Sequence, residues 1–409
     1  MRNLKNKTVF WTIFMLVGIC AAGVVSCSTD SDDQDLVSSN SYKGHENDLD
    51  ANNFVSVYPN TLGTRLDDCQ TCHKGGTFSY ESYDGIKTAF KNSCDFCHLI
   101  IHPSEDFIEA QPITYAETLN PYGAAYMAAG RTRDALKSIA ADDSDSDSFP
   151  NKEEIADLKY PGDPASQPGQ EVAPMITFTK AQLEGLASHE QFMLVNSHKQ
   201  EFDNYASYVG VTVEVLLAEA GVDITDSAIQ GITVIAPDGY MKDFTTEQIQ
   251  KTYPTGLYYS GLDTATLGTE CGFVMYPDNL PSDLTGDGDI AGDQLLILAY
   301  ERDGLPLDPS SLDITEGTID GEGPFRVVLP QSVPDEPDRG SMFSPTDCND
   351  GYDYDDSKDH NAGDMVRGVI AIRVNPLPEG YEDFDHYNGG WSYIESESII
   401  VYGHGIDAE

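Results

Sequence analysis

"CQTCHKGGTFSYESYDGIKTAFKNSCDFCHLIIHP", residues 69–103, carries Cys-x-x-Cys-His twice: Cys69, Cys72 and His73, then Cys94, Cys97 and His98. Three chemistries fit this spacing. Two thiols about one helical turn apart can bond to the two vinyl groups of one c-type haem, and the adjacent histidine then reaches the iron as axial ligand. Four thiolates in two pairs, with 21 residues between Cys72 and Cys94, can instead close a tetrahedral zinc site. Two disulfides are the third arrangement. The histidine directly after each pair counts for haem.

The compartment bears on the same choice. Residues 1–27, "MRNLKNKTVFWTIFMLVGICAAGVVSC", have a basic start (Arg2, Lys5, Lys7), an apolar run from Val9 to Val25 and small residues before Cys27, the pattern of an export signal. The alternative is a membrane anchor, since the run is nearly long enough to span a bilayer. Outside the cytoplasm unmetallated thiols tend to be lost to disulfides, which counts against zinc. "STDSDDQDLVSSN" follows, polar, acidic and without hydrophobic period, as expected of a solvated tether.

With 23 basic and 69 acidic residues in 409, the formal charge is −46. Such a surface repels nucleic acid and favours cationic partners or divalent metals. The 40% of hydrophobic residues is enough for ordinary cores, and the length suggests two domains. Of the eight cysteines, Cys20 falls in the signal, and Cys271 and Cys348 remain once Cys27 and the paired motifs are set aside. Parity pairs these two as a disulfide.

Each iron of a haem pair has a sixth position. His102, four residues after His98, would share its face on a helix and so serve the neighbouring haem as distal ligand. Met127, His45, His189 and His198 are further candidates, with Met127 in "GAAYMAAG" expected to pack in a core.

Beyond the motifs, "TRDALKSIAA" reads as a helix with Leu136 and Ile139 on one side, and "KEEIADL" opens another. Between them Asp143, Asp145, Asp147, Asn151 and Glu154 follow the order of a calcium-binding EF-hand loop, with Glu154 at the clamping position. Ser148 stands where that loop has Gly, and Pro150 where it has an apolar residue. A solvated acidic loop is the alternative.

Three resemblances follow from these residues. "VVSC" resembles the lipobox of bacterial lipoproteins, which implies cleavage after residue 26 and acylation of Cys27; Ser28 beside it resembles an outer-membrane address, and the acidic tether resembles those of surface-displayed lipoproteins. Residues 51–163, with the Cys-x-x-Cys-His motifs, "NPYG", the Asp-x-Asp-x-Asp loop and "PGDP", resemble small multihaem cytochrome modules of metal-respiring bacteria. That resemblance implies a domain packed largely around its haems, with the calcium loop as structural clip. The third concerns the C-terminal half. After the proline- and glycine-rich stretch 164–174, "GVTVEVLLAEAGVD" reads as a helix, "ITVIAPDGYMKDF" as a hairpin at Asp238-Gly239, and "LLILAYERDGLPL" as a strand turning at Asp303-Gly304. "PFRVVLP", "VRGVIAIRV" and "SIIVYG" add β-rich segments. This order, with "LAYERDGLPL", resembles the molybdopterin-binding domain of the sulfite-oxidase family over Gly210–Pro330. In that family an upstream cysteine ligates molybdenum, and no cysteine occurs here between Cys97 and Cys271. The expectation is a domain that keeps the fold without the metal.

"DLTGDGDIAGDQ" starts like a calcium loop at Asp283, Thr285 and Asp287 but ends on Gln294, so a surface turn is expected. "DCNDGYDYDDSKDHNAGD", 347–364, is dense in carboxylates without a loop template, and His360 and His386 are candidate ligands. No nucleophile, base and acid arrangement stands out.

The expected fold class is α+β: a small, haem-packed, mainly helical cytochrome domain (51–163) after a signal (1–26) and acidic tether (27–50), then a linker (164–174) and a β-rich molybdopterin-oxidoreductase-like domain (175–409). The expected function is a lipid-anchored dihaem carrier at the outer membrane, on its periplasmic or surface face. It would pass electrons to redox partner proteins or an extracellular acceptor and bind no nucleic acid. A molybdopterin-dependent oxidoreductase using its own haems, and a calcium-stabilised surface binding protein without haem, are the alternatives.

Overall fold

The described residues of the computed structural model are 49–82, 85–91, 93–98, 107–109, 114–197, 203–263, 266, 274–313, 318–337 and 357–406. They mix helices with several sheets, an α+β arrangement, and all belong to one unit, Val37–Glu409. Among the described residues no helix is long and apolar enough to cross a membrane.

In the N-terminal half the helices Leu49–Val57, Pro121–Ala128, Arg133–Ser138 and Asn151–Ala156 surround a small core of Phe54, Leu66, Tyr122, Tyr126, Leu136, Ile139, Ile155 and Tyr160. Local chemistry sets their starts. Pro121 sits in a first turn, where a missing N–H costs nothing, and the Asn120 side chain accepts the Gly123 N–H at 2.9 Å. Thr132 caps the next helix by accepting the Ala135 N–H at 3.1 Å. Leu136 and Ile139 are buried, as their spacing predicts. The chain between the two cysteine motifs is β-structure: Gly76–Ser82 and Gly85–Lys91 form a hairpin, with Phe107–Glu109 on its other edge.

The C-terminal half is built on two sheets. One contains Ser188–Val195, Asp203–Thr212, Ile297–Arg302, Leu305–Pro306, Arg326–Val328 and the parallel edge Val274–Met275. The other runs in the order Met175–Thr179, Ser398–Gly403, Ala371–Asn375, Gly231–Ile235, Met241–Thr245. Apolar side chains of both sheets share one core, including Val211, Leu298 and Val327 from the first and Val234, Ile372 and Val401 from the second. Alternation along "SIIVYG" serves two faces at once: Ile399 and Val401 enter that core, while Ile400 and Tyr402 enter a second cluster with Ile394 of the helix His386–Glu395. The expected hairpin Gly231–Ile235/Met241–Thr245 is present. So is the turn at Asp303-Gly304, where both residues take positive φ (53° and 79°) between Ile297–Arg302 and Leu305–Pro306. "GVTVEVLLAEAGVD" is divided: its first residues end a strand, and Thr212 then caps the helix Val213–Glu219 through the Val215 N–H at 3.2 Å.

The stretch 164–174 runs closely along the C-terminal half. Glu171–Val172 pairs in parallel with Tyr381–Glu382, and Ala173 N–H donates to the Glu382 carbonyl at 3.1 Å. The Glu382 carboxylate is buried there among cations and a hydroxyl: Lys159 Nζ at 2.5 Å, Arg65 Nη1 at 2.8 Å and Ser166 Oγ at 2.6 Å. Arg65 also stacks on the Tyr160 ring, 4.4 Å from its centroid, and Tyr160 donates to Asp385 at 2.5 Å. Burial opposes the charge on Arg65, but Tyr160, Asp385 and Glu382 outweigh it and hold the guanidinium pKa above its ordinary value. Removing one partner of a buried pair leaves an uncompensated charge. Glu382→Ala is therefore expected to destabilise the protein by about 3–5 kcal/mol, read from urea unfolding. An unchanged midpoint would show that the cluster is dispensable.

Candidate cofactor and metal site

The first cysteine motif lies on the 3-10 turn Cys69–Thr71, which Asp68 caps by accepting the Gln70 N–H at 2.9 Å. The N–H groups of Cys72 and His73 both donate to the Cys69 carbonyl, at 3.1 and 2.8 Å. Two partly buried thiols and the imidazole are thereby gathered on one turn. A segment some fifty residues later clamps it. His73 bridges Leu119, Asn120 N–H donates to the Cys72 carbonyl at 3.0 Å, and Lys74 N–H donates to the Thr118 carbonyl at 2.8 Å. The Asn120 amide donates to the carbonyls of Gln70 (2.9 Å) and Thr71 (3.1 Å). His73 Nδ1 lies 2.8 Å from Oγ1 of the fully buried Thr118.

This clamp explains two short boxes of the sequence. In Asn-Pro-Tyr-Gly, 120–123, a Cβ on Gly123 would stand 2.0 Å from the Cys72 carbonyl oxygen. In Pro-Gly-Asp-Pro, 161–164, a Cβ on Gly162 would meet the Asn120 side chain at 2.5 Å. Only glycine permits either approach. Tyr122 is fully buried in the adjoining core, and burial, reinforced by Cys72 and Tyr58, pushes its hydroxyl pKa up.

The second motif forms the helix Ser93–His98, with Phe96 buried and Cys97 partly buried. The hairpin between the motifs sets its place. Gly76 pairs with Lys91, so the chain leaving the first motif and the chain entering the second are neighbours. Gly76 also lies against Phe96: a Cβ there would be 2.4 Å from the ring. Cα atoms of Ser93–His98 and of the Cys69–Thr71 turn approach within 8 Å. The two motifs therefore lie side by side. The side chains of Cys94 and His98 lie outside the described residues.

The acidic loop gathers several carboxylates. Asp143, Asp145 and Asp147 each bring one oxygen within 4.8 Å of the others, a group able to hold a metal ion. Backbone N–H groups shape the loop: Asp143 Oδ1 accepts from Ser146 (2.7 Å) and Asp147 (3.2 Å), its Oδ2 from Ser148 (2.9 Å), and Asp147 Oδ1 from Phe149 (2.8 Å). Glu154, from the helix Asn151–Ala156, is 0% exposed, and neither of its oxygens has a hydrogen-bond partner. Asp145 Oδ2 and Asp147 Oδ2 are buried and unpartnered too. Burial and then the charges of Asp145 and Asp147 push Glu154 up to about 8, and burial with Asp147 pushes Asp145 up to about 6. Buried carboxylates that repel one another are costly unless a cation joins them. Their hard oxygens fit calcium.

Two loop positions depart from simple expectation. Asn151 uses its side chain to tie the loop ends together, donating to the Ile139 carbonyl (2.8 Å) and Ser144 Oγ (2.9 Å) and accepting from Ser144 N–H (3.1 Å). Ser148 takes φ +85°, the left-handed conformation for which glycine is suited, so the backbone keeps the turn despite the different residue.

Other candidates are placed elsewhere. Met127, expected in a core, is 41% exposed, because it faces outward on the helix Pro121–Ala128. His189 lies on the C-terminal strand Ser188–Val195, with Nε2 3.1 Å from the Asp293 carbonyl. His360 and His386 are buried, and burial lowers the pKa of His386. Asp287 accepts from the N–H and hydroxyl of Ser260 (2.7 and 2.8 Å), and Gln294 is buried and donates to the Phe192 carbonyl at 3.1 Å. "DLTGDGDIAGDQ" therefore begins as a largely exposed turn, as expected, but its Gly288–Asp289 is a strand paired with Leu257–Tyr258, and Ile290 and Gln294 are buried. Cys27, His45, His102, His198, Cys271 and Cys348 lie outside the described residues. Thr118, Asn120 and Gly162 had no assigned role in the sequence, although the "NPYG" and "PGDP" boxes marked two of them.

No protein-family model, no curated protein and no solved structure matches the chain.

The loop's electrostatics set a pH dependence. Glu154 titrates near 8 when folded, against an ordinary 4.5, so the folded metal-free chain holds this proton more tightly than the unfolded one. Its contribution is fully present below about pH 4.5 and is lost as pH rises toward about 8. Thermal melts of the metal-free protein should show stability falling across that window, and calcium should reverse the fall while releasing protons. Glu154→Gln should raise metal-free stability at the upper end and weaken calcium binding at least tenfold, about 1.4 kcal/mol or more, by calorimetry. Ser148→Gly should add about 1 kcal/mol by removing the left-handed strain.

Proposed function

We propose that the chain is a lipid-anchored dihaem c-type cytochrome that passes electrons in the bacterial cell envelope, its cytochrome half clipped by calcium and its C-terminal half serving as docking scaffold. The observation that carries this reading is the packing of two Cys-x-x-Cys-His turns side by side, with the His73 ring held through Nδ1 by a buried hydroxyl. A four-cysteine zinc site would give that held imidazole no task.

Cys69 and Cys72, and Cys94 and Cys97, would hold the two haems by thioethers, with His73 and His98 as axial ligands. When bound, the haems supply a one-electron iron couple. The chain's own part is to fix the ligating turns: Asn120 saturates the carbonyls of the first, Gly123 lets the next helix close over it, and Tyr122 and Leu66 keep a dry core beside it. His102 is the proposed distal ligand for the neighbouring haem. Cys27 is the proposed acylation site for the outer-membrane anchor, and Cys271 with Cys348 the proposed disulfide. The buried, unpartnered Glu154 supports calcium as the ion of the loop formed with Asp143, Asp145 and Asp147. A charge of −46 favours a cationic redox partner or an extracellular oxidant.

The resemblance of Gly210–Pro330 to the sulfite-oxidase molybdopterin-binding domain supports a scaffold rather than a molybdenum enzyme, since no cysteine lies between Cys97 and Cys271.

Protein made in a host with haem-attachment machinery should give a pyridine haemochrome spectrum with two c-type haems per chain, and Cys69→Ala/Cys72→Ala should halve that content. A colourless wild-type chain would refute the cytochrome reading. Stoichiometric molybdenum on elemental analysis would replace the scaffold with an oxidoreductase domain.

A further inference from the structure

Thr118 stands in a hydrogen-bond chain between the Tyr115 carbonyl and the His73 ring. It ends the short helix Tyr115–Thr118 and is 0% exposed. Its Oγ1 donates to the Tyr115 carbonyl at 2.8 Å. With Nε2 on an iron, Nδ1 would keep the ring proton, and Thr118 Oγ1, 2.8 Å away, is placed to accept it while its own single hydrogen goes to the Tyr115 carbonyl.

The surroundings keep this arrangement in place. The His73–Leu119 bridge fixes the histidine backbone beside Thr118. Thr118 is itself held through its carbonyl, which accepts the Lys74 N–H at 2.8 Å. Asn120 and Asp68 fix the turn on which His73 sits.

We propose that Thr118 is the positioning residue of the first haem: it holds the ring orientation of His73 and, through the Nδ1–H bond, sets the donor strength of Nε2 toward iron. The proposal rests on the dihaem reading above. An imidazole whose other N–H is hydrogen-bonded is a more basic ligand, and a hydroxyl that is itself donating is a better acceptor because hydrogen bonds in a chain polarise one another. A more basic axial ligand stabilises the oxidised iron and lowers the reduction potential. The hydroxyl touches the imidazole of the first motif, so the haem that His73 would ligate is the one it acts on.

Spectroelectrochemical titration of the full haem-loaded chain tests it with Thr118→Val and Thr118→Ser. Val keeps the shape and removes the acceptor; Ser keeps the hydroxyl. The expected result is an upward shift of one of the two potentials in Thr118→Val, the other unmoved, with Thr118→Ser restoring the wild-type value. Two unmoved potentials in Thr118→Val, or equal shifts in both variants, would overturn the role of Thr118 while leaving the cytochrome reading intact. A wild-type chain without haem would overturn both.

Discussion

Asn120 is the constraint on which the N-terminal half turns. Its single carboxamide binds the Gln70 and Thr71 carbonyls, caps the helix Pro121–Ala128 through Gly123, and packs against Gly162. Its own backbone N–H holds the Cys72 carbonyl. A buried amide can satisfy that many partners only if all of them converge on one point. The first Cys-x-x-Cys-His turn, the helix behind it and the segment around Gly162 are thereby fixed relative to one another.

Charge is distributed with a consistent economy. Among 23 basic and 69 acidic residues, many cations are committed to internal pairs: Arg65 and Lys159 to Glu382, Arg302 and Arg326 to Glu322, Arg373 to Asp383, Lys358 to Glu336. The carboxylates of Asp143, Asp145, Asp147 and Glu154 receive none of these. The loop lies close in sequence to the pair that joins the halves: Lys159 N–H donates to the Glu154 carbonyl at 2.8 Å while its Nζ reaches Glu382.

Several elements were legible because their signals are local. The Asp238-Gly239 and Asp303-Gly304 hairpins follow from turn chemistry, and Leu136 with Ile139 from helical period. Met127 misled because a run of small and apolar residues does not reveal which side of a helix faces solvent. Ser148 looked like a defect in the loop; the backbone adopts the left-handed turn there regardless, because the Asp143 carboxylate captures the Ser146, Asp147 and Ser148 N–H groups. Asn151 was legible as a member of the loop but not in its task, since a carboxamide can bind a cation or the backbone and only its neighbours decide.

The sequence by itself determined the donor atoms: thiols and imidazoles at Cys-x-x-Cys-His spacing and carboxylates at alternate loop positions are each written within a few residues. Tertiary structure alone decided what acts on those donors. Thr118 meets His73 across 45 residues, and Glu382 meets Lys159 across 223. Such pairings depend on burial, where an unsatisfied polar group costs the most, and burial is a property of the packed chain that no local spacing encodes.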